Sequence, residues 1–137
     1  MTIRYALCSD KPFWFTLDRH LSYDEFEKKV RDKQGYVLLV DNEPVGILRY
    51  NLFWDNTPFC NLLYIREVYQ NMGLGKRLMN FWESEMRSLG YKSVMTSTRA
   101  DESAQHFYRA IGYSDCGTLT LPEQPDELFL YKLIDGN

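Results

Sequence analysis

The sequence is poor in cysteine and histidine, the side chains that build disulfide frameworks and most zinc sites. It contains three cysteines, Cys8, Cys60 and Cys116, and two histidines, His20 and His106. The cysteine count is odd, no C-x-x-C pair occurs and the histidines lie far apart, so we expect neither a disulfide framework nor a metal site. Isolated thiols are typical of a reducing compartment, which favours a cytoplasmic protein.

The chain also lacks long apolar runs and a strong charge of one sign. No apolar segment approaches the roughly 20 residues that span a bilayer, and the first residues lack the apolar core of a signal peptide. The formal net charge is -3, so no bulk positive charge draws the chain to nucleic acid or acidic membranes. We therefore expect neither of these as a partner.

What is present is the composition of an ordinary globular protein. Of the 137 residues, 45% are hydrophobic and 26% are charged, which is enough apolar material for a core. No repeat, linker or low-complexity tract divides the chain. We therefore predict a single domain over residues 1–137.

Apolar periodicity and turn signals predict the element order β α α β β β α β α β β. Ser22 and Glu25 form a capping box for a helix that runs to about Lys33 and that Gly35 ends. Asp101 is predicted to cap the last helix. Strands and helices interleave, but hairpins occur as well. The predicted fold is therefore α/β (α+β), with a mixed sheet of about seven strands flanked by about four helices.

Residues 70–76 form a loop that follows a predicted strand, carries two glycines and opens a helix. Glycine lets the backbone approach a ligand closely, and the first N–H groups of a helix have no partner within it. The helix dipole and Lys76 favour an anion at this place. A P-loop is excluded because it needs a glycine at Gln70 and Ser or Thr at Arg77. A dinucleotide fingerprint is excluded because it needs a glycine at Leu78.

Two motifs in this part of the chain resemble those of the GNAT N-acetyltransferase superfamily. Gln70-Asn71-Met72-Gly73-Leu74-Gly75 matches the phosphate signature Q/R-x-x-G-x-G/A. Residues 104–113, AQHFYRAIGY, resemble the segment A-x-x-F-Y-x-x-x-G-F/Y, at a compatible separation. The resemblance is sharpest from about residue 60 to 115, and the element order agrees across the whole chain. It implies a GNAT-like mixed, mostly antiparallel sheet.

The resemblance implies direct transfer of an acetyl group from acetyl-coenzyme A, as co-substrate, to a primary amine. No metal is needed, and no residue pair here has the form of a nucleophile couple. The acceptor is expected to be a small molecule or a peptide, with the small molecule favoured, and a homodimer is a further family expectation. One alternative is a non-catalytic acyl-coenzyme A sensor of the same fold, and another is a nucleotide-binding regulator.

The resemblance also assigns residues to the cofactor. Main-chain N–H groups of residues 71–76 would hold the diphosphate, and residues 63–65 would pair with the pantetheine arm as an added strand. Asp101 lies where the family often has an asparagine, although an ionised carboxylate can only accept hydrogen bonds. The predicted cofactor-binding set is Leu63, Tyr64, Ile65, Gln70, Asn71, Met72, Gly73, Leu74, Gly75, Lys76 and Asp101.

Tyr108 falls where many family members keep a tyrosine that protonates the departing thiolate. Its place on an apolar helix face also fits plain core packing. Thr96 lies where some members place a glutamate base, a role that a threonine cannot fill. The general base therefore stays open between Glu43, Asp55, Glu67 and a water chain.

Aromatic clusters at residues 13–15 and 53–54 fit either the wall of an amine site, through cation–π contact, or packing in a core or dimer.

Overall fold

Seven strands and four α-helices form within residues 1–135, the part of the chain that the computed structural model describes. They follow one another in the predicted order, with two short 3₁₀ turns at Cys8–Asp10 and Glu67–Tyr69. The strands are β1 (Thr2–Tyr5), β2 (Gly35–Val40), β3 (Glu43–Phe53), β4 (Thr57–Ile65), β5 (Ser93–Arg99), β6 (Ser114–Leu119) and β7 (Glu127–Leu133). The helices are α1 (Lys11–Leu17), α2 (Tyr23–Arg31), α3 (Leu74–Ser88) and α4 (Ala104–Ala110).

The strands form one sheet in the order β1-β2-β3-β4-β5-β7-β6. Pairing is antiparallel between β1 and β2, β2 and β3, β5 and β7, and β6 and β7. Strands β4 and β5 run parallel, with Phe59 opposite Met95 and Cys60 opposite Thr96. Parallel neighbours need a long connection, which α3 supplies. The predicted mixed, mostly antiparallel sheet is confirmed.

The residues group into two compact units. The first comprises Met1–Asn51 and Asn61–Trp82, and the second comprises Leu52–Cys60 and the chain from Glu83 onward. The single domain that the sequence predicts stays a prediction. In the first unit, a core cluster of fully or almost fully buried apolar side chains contains Ala6, Trp14, Phe26, Val37 and Ile47. In the second unit the buried apolar side chains include Cys60, Met86, Val94, Tyr108, Tyr113 and Leu130.

Helix α2 departs from the sequence prediction at both ends. Ser22 caps it as predicted, since its hydroxyl accepts a hydrogen bond from the Glu25 amide at 3.1 Å. The carboxylate of Glu25 pairs instead with Lys28 at 2.9 Å, so the second half of the capping box does not form. Lys33 takes a left-handed conformation, with φ at 57°, after the helix has ended. Gly35 is the first residue of β2, so its predicted role as the helix end is wrong.

A buried carboxylate in the first unit ties the end of α1 to β3. The side chain of Asp18 accepts hydrogen bonds from Arg49 Nε at 2.8 Å, Trp14 Nε1 at 3.0 Å and the His20 amide at 3.1 Å. Burial by itself raises the pKa of Asp18. The hydrogen bonds and the charge of Arg49 outweigh that effect and hold the pKa below its usual value. Asp18 is therefore ionised at neutral pH.

Replacing Asp18 by asparagine should destabilise the protein, because it leaves Arg49 largely buried without a counter-charge. We expect Asp18→Asn to lower the free energy of unfolding in urea by about 3–5 kcal/mol. The matched control is Asp32→Asn, since Asp32 forms an exposed pair with Arg31; it should leave the stability almost unchanged. Equal losses in the two variants would contradict the anchoring role of Asp18.

The stabilisation by Asp18 should also depend on pH. A carboxyl whose pKa is lower in the folded chain stabilises it above the unfolded pKa of about 3.9. This contribution disappears as the pH falls through the lower, folded pKa. Urea titrations from pH 7 down to pH 3 should show the difference between wild type and Asp18→Asn shrinking below about pH 4. A difference that stays constant would show that the charge of Asp18 contributes nothing.

Candidate active site

The turn after β4 is closed by a side chain from the predicted phosphate signature. Gln70 Nε2 donates to the main-chain carbonyl of Ile65 at 2.8 Å. The Arg66 amide in turn donates to the Val45 carbonyl at 2.8 Å, which joins the turn to β3. Gln70 therefore holds the start of the glycine loop against the end of β4. The first residue of the predicted signature thus stabilises the loop through its side chain.

The main-chain amides of residues 71–76 are the decisive feature of this loop. The first helical hydrogen bond of α3 runs from the Arg77 amide to the Gly73 carbonyl at 3.1 Å. Across residues 1–135 no protein acceptor pairs with the amides of residues 71–76. Asn71 and Gly73 are left-handed, with φ at 64° and 79°. Left-handed residues in such a loop can point consecutive N–H groups to the same side, where they form a concavity that binds an anion.

Open space adjoins this loop. A Cβ placed on Gly73 would have no atom within 4 Å. Asn71, Met72 and Lys76 are exposed, whereas Leu74 and Gly75 are half-buried at the start of α3. The lysine makes no ion pair among the described residues, so its charge is available to an anion. The loop residues predicted from the sequence thus lie together at one helix N-terminus.

Residues 63–65 lie at the carboxyl end of β4. Tyr64 is 41% exposed, and Ile65 is buried. Gly46 on β3 lets the two strands approach closely, since a Cβ there would lie 2.6 Å from Ile65 Cδ1. The residues of β4 that pair with β5, Phe59 and Cys60, come earlier in the strand.

Two cavities lie beside this strand and α1. The larger has a volume of about 540 Å³ and is lined by Phe13, Thr16, Leu17, Tyr64, Arg66, Glu67 and Val68. The smaller has a volume of about 320 Å³ and is lined by Thr16, Leu17, Arg19, His20, Leu62 and Tyr64. Of the predicted aromatic cluster, Phe13 reaches a cavity, while Trp14 is core and Phe15 packs on Tyr23 and Phe26. Tyr64 lines both cavities.

Tyr108 lies on α4 in the second unit and is 7% exposed. It is hydrogen-bonded to Thr96, whose hydroxyl donates to the Cys60 carbonyl at 3.0 Å. Burial raises the pKa of the Tyr108 hydroxyl, Cys60 adds to the rise, and the bond to Thr96 opposes it. The phenol carries its proton throughout the neutral range, as an ordinary tyrosine does, and the raised pKa makes it a weaker acid.

The model of the acetyltransferase (GNAT) family matches residues 3–113. The chain belongs to the acetyltransferase (GNAT) family. No curated protein matches the sequence significantly.

Solved structures confirm the GNAT fold of this chain. Ard1 from Thermoplasma volcanium is 20% identical, with a TM-score of 0.84 over 97% of each chain. A ribosomal-protein-alanine N-acetyltransferase from Brucella melitensis is 20% identical, with a TM-score of 0.82 over 97% of this chain and 99% of that one. A GNAT family acetyltransferase from Elizabethkingia anophelis, solved with acetyl-CoA bound, is 16% identical, with a TM-score of 0.74 over 96% and 97%.

Within this GNAT chain, one predicted local role is wrong. Asp101 does not cap α4, because the helix begins at Ala104 and Ser103 occupies the N-cap position. The carboxylate of Asp101 instead receives two hydrogen bonds from the Arg99 guanidinium, at 2.8 and 3.1 Å. A guanidinium two residues away is a stronger partner than a helix amide. The cofactor-binding role of Asp101 stays a prediction.

Sequence reasoning missed a charged cluster that adjoins Tyr108. Glu83 is 3% exposed, and its carboxylate accepts hydrogen bonds from the Tyr113 hydroxyl and Lys132 Nζ, both at 2.7 Å. Lys132 also donates to the Ile111 carbonyl at 2.9 Å. The Tyr113 ring lies 5.7 Å from that of Tyr108, centroid to centroid. The cluster therefore holds the end of α4 and the neighbour of Tyr108 in place.

A signal for this cluster is present in the sequence. Glu83 lies four residues after Met79 and three before Met86, which places it on the buried face of α3. A carboxylate in that position needs a cationic or hydroxyl partner. The sequence does not say which, because Lys132 is 49 residues away.

Among residues 1–135 no group of three or more His, Cys, Asp or Glu side chains is placed to hold a metal ion. None of the helices there combines the length and the apolar character that crossing a membrane requires.

Removing the ammonium group of the cluster should destabilise the second unit. Lys132→Met leaves the Glu83 carboxylate buried with a single hydroxyl donor. We expect a loss of about 3 kcal/mol in the free energy of unfolding, at the lower end for broken buried pairs because Lys132 keeps some contact with solvent. The matched control, Lys92→Met, changes an exposed lysine and should leave urea unfolding almost unchanged. A Lys132→Met protein as stable as the control would contradict this account.

Proposed function

We propose that this GNAT chain is an N-acetyltransferase that moves the acetyl group of acetyl-coenzyme A directly to a primary amine. The observation that carries the proposal is the set of main-chain amides at residues 71–76, which have no protein acceptor in the described chain. Unpaired amides at a helix N-terminus need an anion or water. The diphosphate of coenzyme A fits that need, and the open space beside Gly73 leaves room for it.

Residues 63–65 and 71–76 of the predicted binding set then have defined tasks. The amides of residues 71–76 bind the diphosphate, and Lys76 adds positive charge. The main chain of Leu63, Tyr64 and Ile65 pairs with the pantetheine arm, as an edge strand pairs with a peptide. A main-chain N–H of this run also stabilises the oxyanion that forms when the amine attacks the thioester.

Tyr108 supplies the proton that the leaving thiolate needs. Its phenol is protonated at neutral pH, as an ordinary tyrosine is, and protonation of sulfur makes coenzyme A a better leaving group. The amine must lose a proton before or during its attack. Glu67 lines the larger cavity, and the base stays open between it, Glu43, Asp55 and a water chain.

The acceptor is a small molecule in this proposal. Cavities of about 540 and 320 Å³ lie in the range of small-molecule sites. The neighbours include a ribosomal-protein acetyltransferase, so a peptide acceptor is the outcome that a substrate screen must distinguish. A homodimer and a cytoplasmic location remain predictions.

Coenzyme A should bind the glycine loop and lose affinity when the loop is strained. Gly73 is left-handed, a conformation that costs alanine about 1–2 kcal/mol, so Gly73→Ala should weaken coenzyme A about tenfold in calorimetry. The matched control is Gly117→Ala, at an exposed glycine with open space around it, which should bind normally. Wild-type stabilisation by ATP or NAD without coenzyme A would instead support the nucleotide-binding regulator.

Tyr108→Phe should remove the proton donor and keep the fold. We expect kcat for free-thiol release from acetyl-coenzyme A to fall roughly 10²–10⁴-fold, with unchanged affinity for coenzyme A. Tyr131→Phe, at a partly exposed tyrosine, should retain full activity. Full activity of Tyr108→Phe would return Tyr108 to a packing role. Coenzyme A binding without thiol release for any amine would identify the wild type as an acyl-coenzyme A sensor.

A further inference from the structure

The smaller cavity shows a charge pattern that narrows the acceptor class. We propose that this cavity, called the Arg19 cavity after the residue on its wall, receives the acceptor amine and that Arg19 binds an anionic group on it. The acceptor is then a small amine that carries a carboxylate or a phosphate-like group. This inference rests on the proposed function, since it names the substrate class of the same transfer.

The cavity lies along β4, beside the residues proposed to pair with the pantetheine arm. Leu62 and Tyr64 line it, and strand alternation places both on one face of β4. Tyr64 also belongs to the run that pairs with the pantetheine arm. The diphosphate loop follows β4, so an arm that starts there runs back past Ile65 and Tyr64 toward Leu62. The reactive end of the coenzyme therefore reaches the wall of the Arg19 cavity.

The wall of the cavity carries a positive charge that no acidic lining residue balances. Arg19 is exposed, and the residues that the structure describes give it no ion-pair partner. The other lining side chains are Thr16, Leu17, His20, Leu62 and Tyr64, none of them acidic. The larger cavity differs in charge, because its lining contains one cation, Arg66, and one anion, Glu67. An uncompensated guanidinium on a cavity wall favours an anion and disfavours a polycation.

Hydrogen bonds fix the backbone around Arg19 before any ligand binds. Asp18 lies before it and His20 after it, and the His20 amide donates to Asp18 Oδ1 at 3.1 Å. Asp18 is itself fixed by Arg49, and its amide donates to the Trp14 carbonyl at 3.0 Å. Because both flanking residues are fixed, a ligand has only the side chain of Arg19 to order. Such preorganisation lowers the entropic cost of binding.

The cavity is also small. A volume of about 320 Å³ is at the lower end for ligand sites and suits a molecule of amino-acid size. The planar fork of arginine can bind two oxygens of a carboxylate or a phosphonate at once. An amino acid or an aminoalkyl phosphate analogue therefore matches the cavity in size and charge, whereas a folded protein surface does not enter it.

The test compares acceptors of the same length that differ mainly in the charge of one group. Free-thiol release is measured for small amino acids, for their carboxamides, and for aminoalkylphosphonates of the same length. For the wild type we expect kcat/KM to be at least about tenfold higher for the anionic members, mainly through KM. The carboxylate and phosphonate arms show which anion is preferred. Equal rates for acids and their carboxamides would overturn the inference and leave the proposed function intact.

Arg19→Gln tests the residue itself. In this variant kcat/KM for the anionic acceptors should fall about tenfold, to the level of the carboxamides. The matched control is Arg31→Gln, because Arg31 is exposed and pairs with Asp32 on the outside of α2; it should keep the preference. A preference that survives in Arg19→Gln would overturn the inference.

A binding measurement separates this inference from the proposed function. Calorimetry on the full chain saturated with coenzyme A compares each amino acid with its carboxamide, for wild type and Arg19→Gln. Tighter binding of the acid that depends on Arg19, without thiol release from acetyl-coenzyme A, would retain the cavity assignment and reject the transferase. Thiol release with no charge preference in binding would retain the transferase and reject the cavity assignment.

Discussion

A row of main-chain amides with no acceptor in the protein is the constraint on which the rest of this structure depends. A helix cannot pair its own first N–H groups, and in this chain no side chain among the described residues pairs with those of residues 71–76. Gln70, which could have capped them, is engaged with the carbonyl of Ile65. The loop is therefore shaped to keep its donors unpaired, and the roles assigned to β4 and to the cavities beside it follow from that shape.

The element order and the sheet could be predicted because they follow from local patterns. Alternating and helical spacing predicts the seven strands and four helices that the structure contains. Local signals failed where a residue had a better partner than the motif assumed. Glu25 pairs with Lys28, and Asp101 pairs with Arg99, so neither serves the helix terminus beside which it lies in the sequence.

Much of the candidate site could be predicted from one contiguous motif, whereas its supports could not. Asp18 and Arg49 are 31 residues apart, and Glu83 and Lys132 are 49 apart. Nothing in a single sequence says which distant cation meets a buried acid, since that choice depends on how the strands are ordered. The cavity beside α1 was missed for the same reason. Leu62 and Arg19 line it together only after β4 and the end of α1 have taken their places.

The cluster of Glu83, Tyr113 and Lys132 also has a consequence for how this chain can evolve. Loss of one member leaves the others in the interior with unmatched charge or hydrogen-bonding capacity, whereas an apolar replacement of the whole set can pack without penalty. A single substitution in the cluster therefore gives a less stable protein. Descendants of this sequence should keep all three residues or exchange them together, so the tyrosine at position 113 should be inherited along with a glutamate and a lysine from remote parts of the chain.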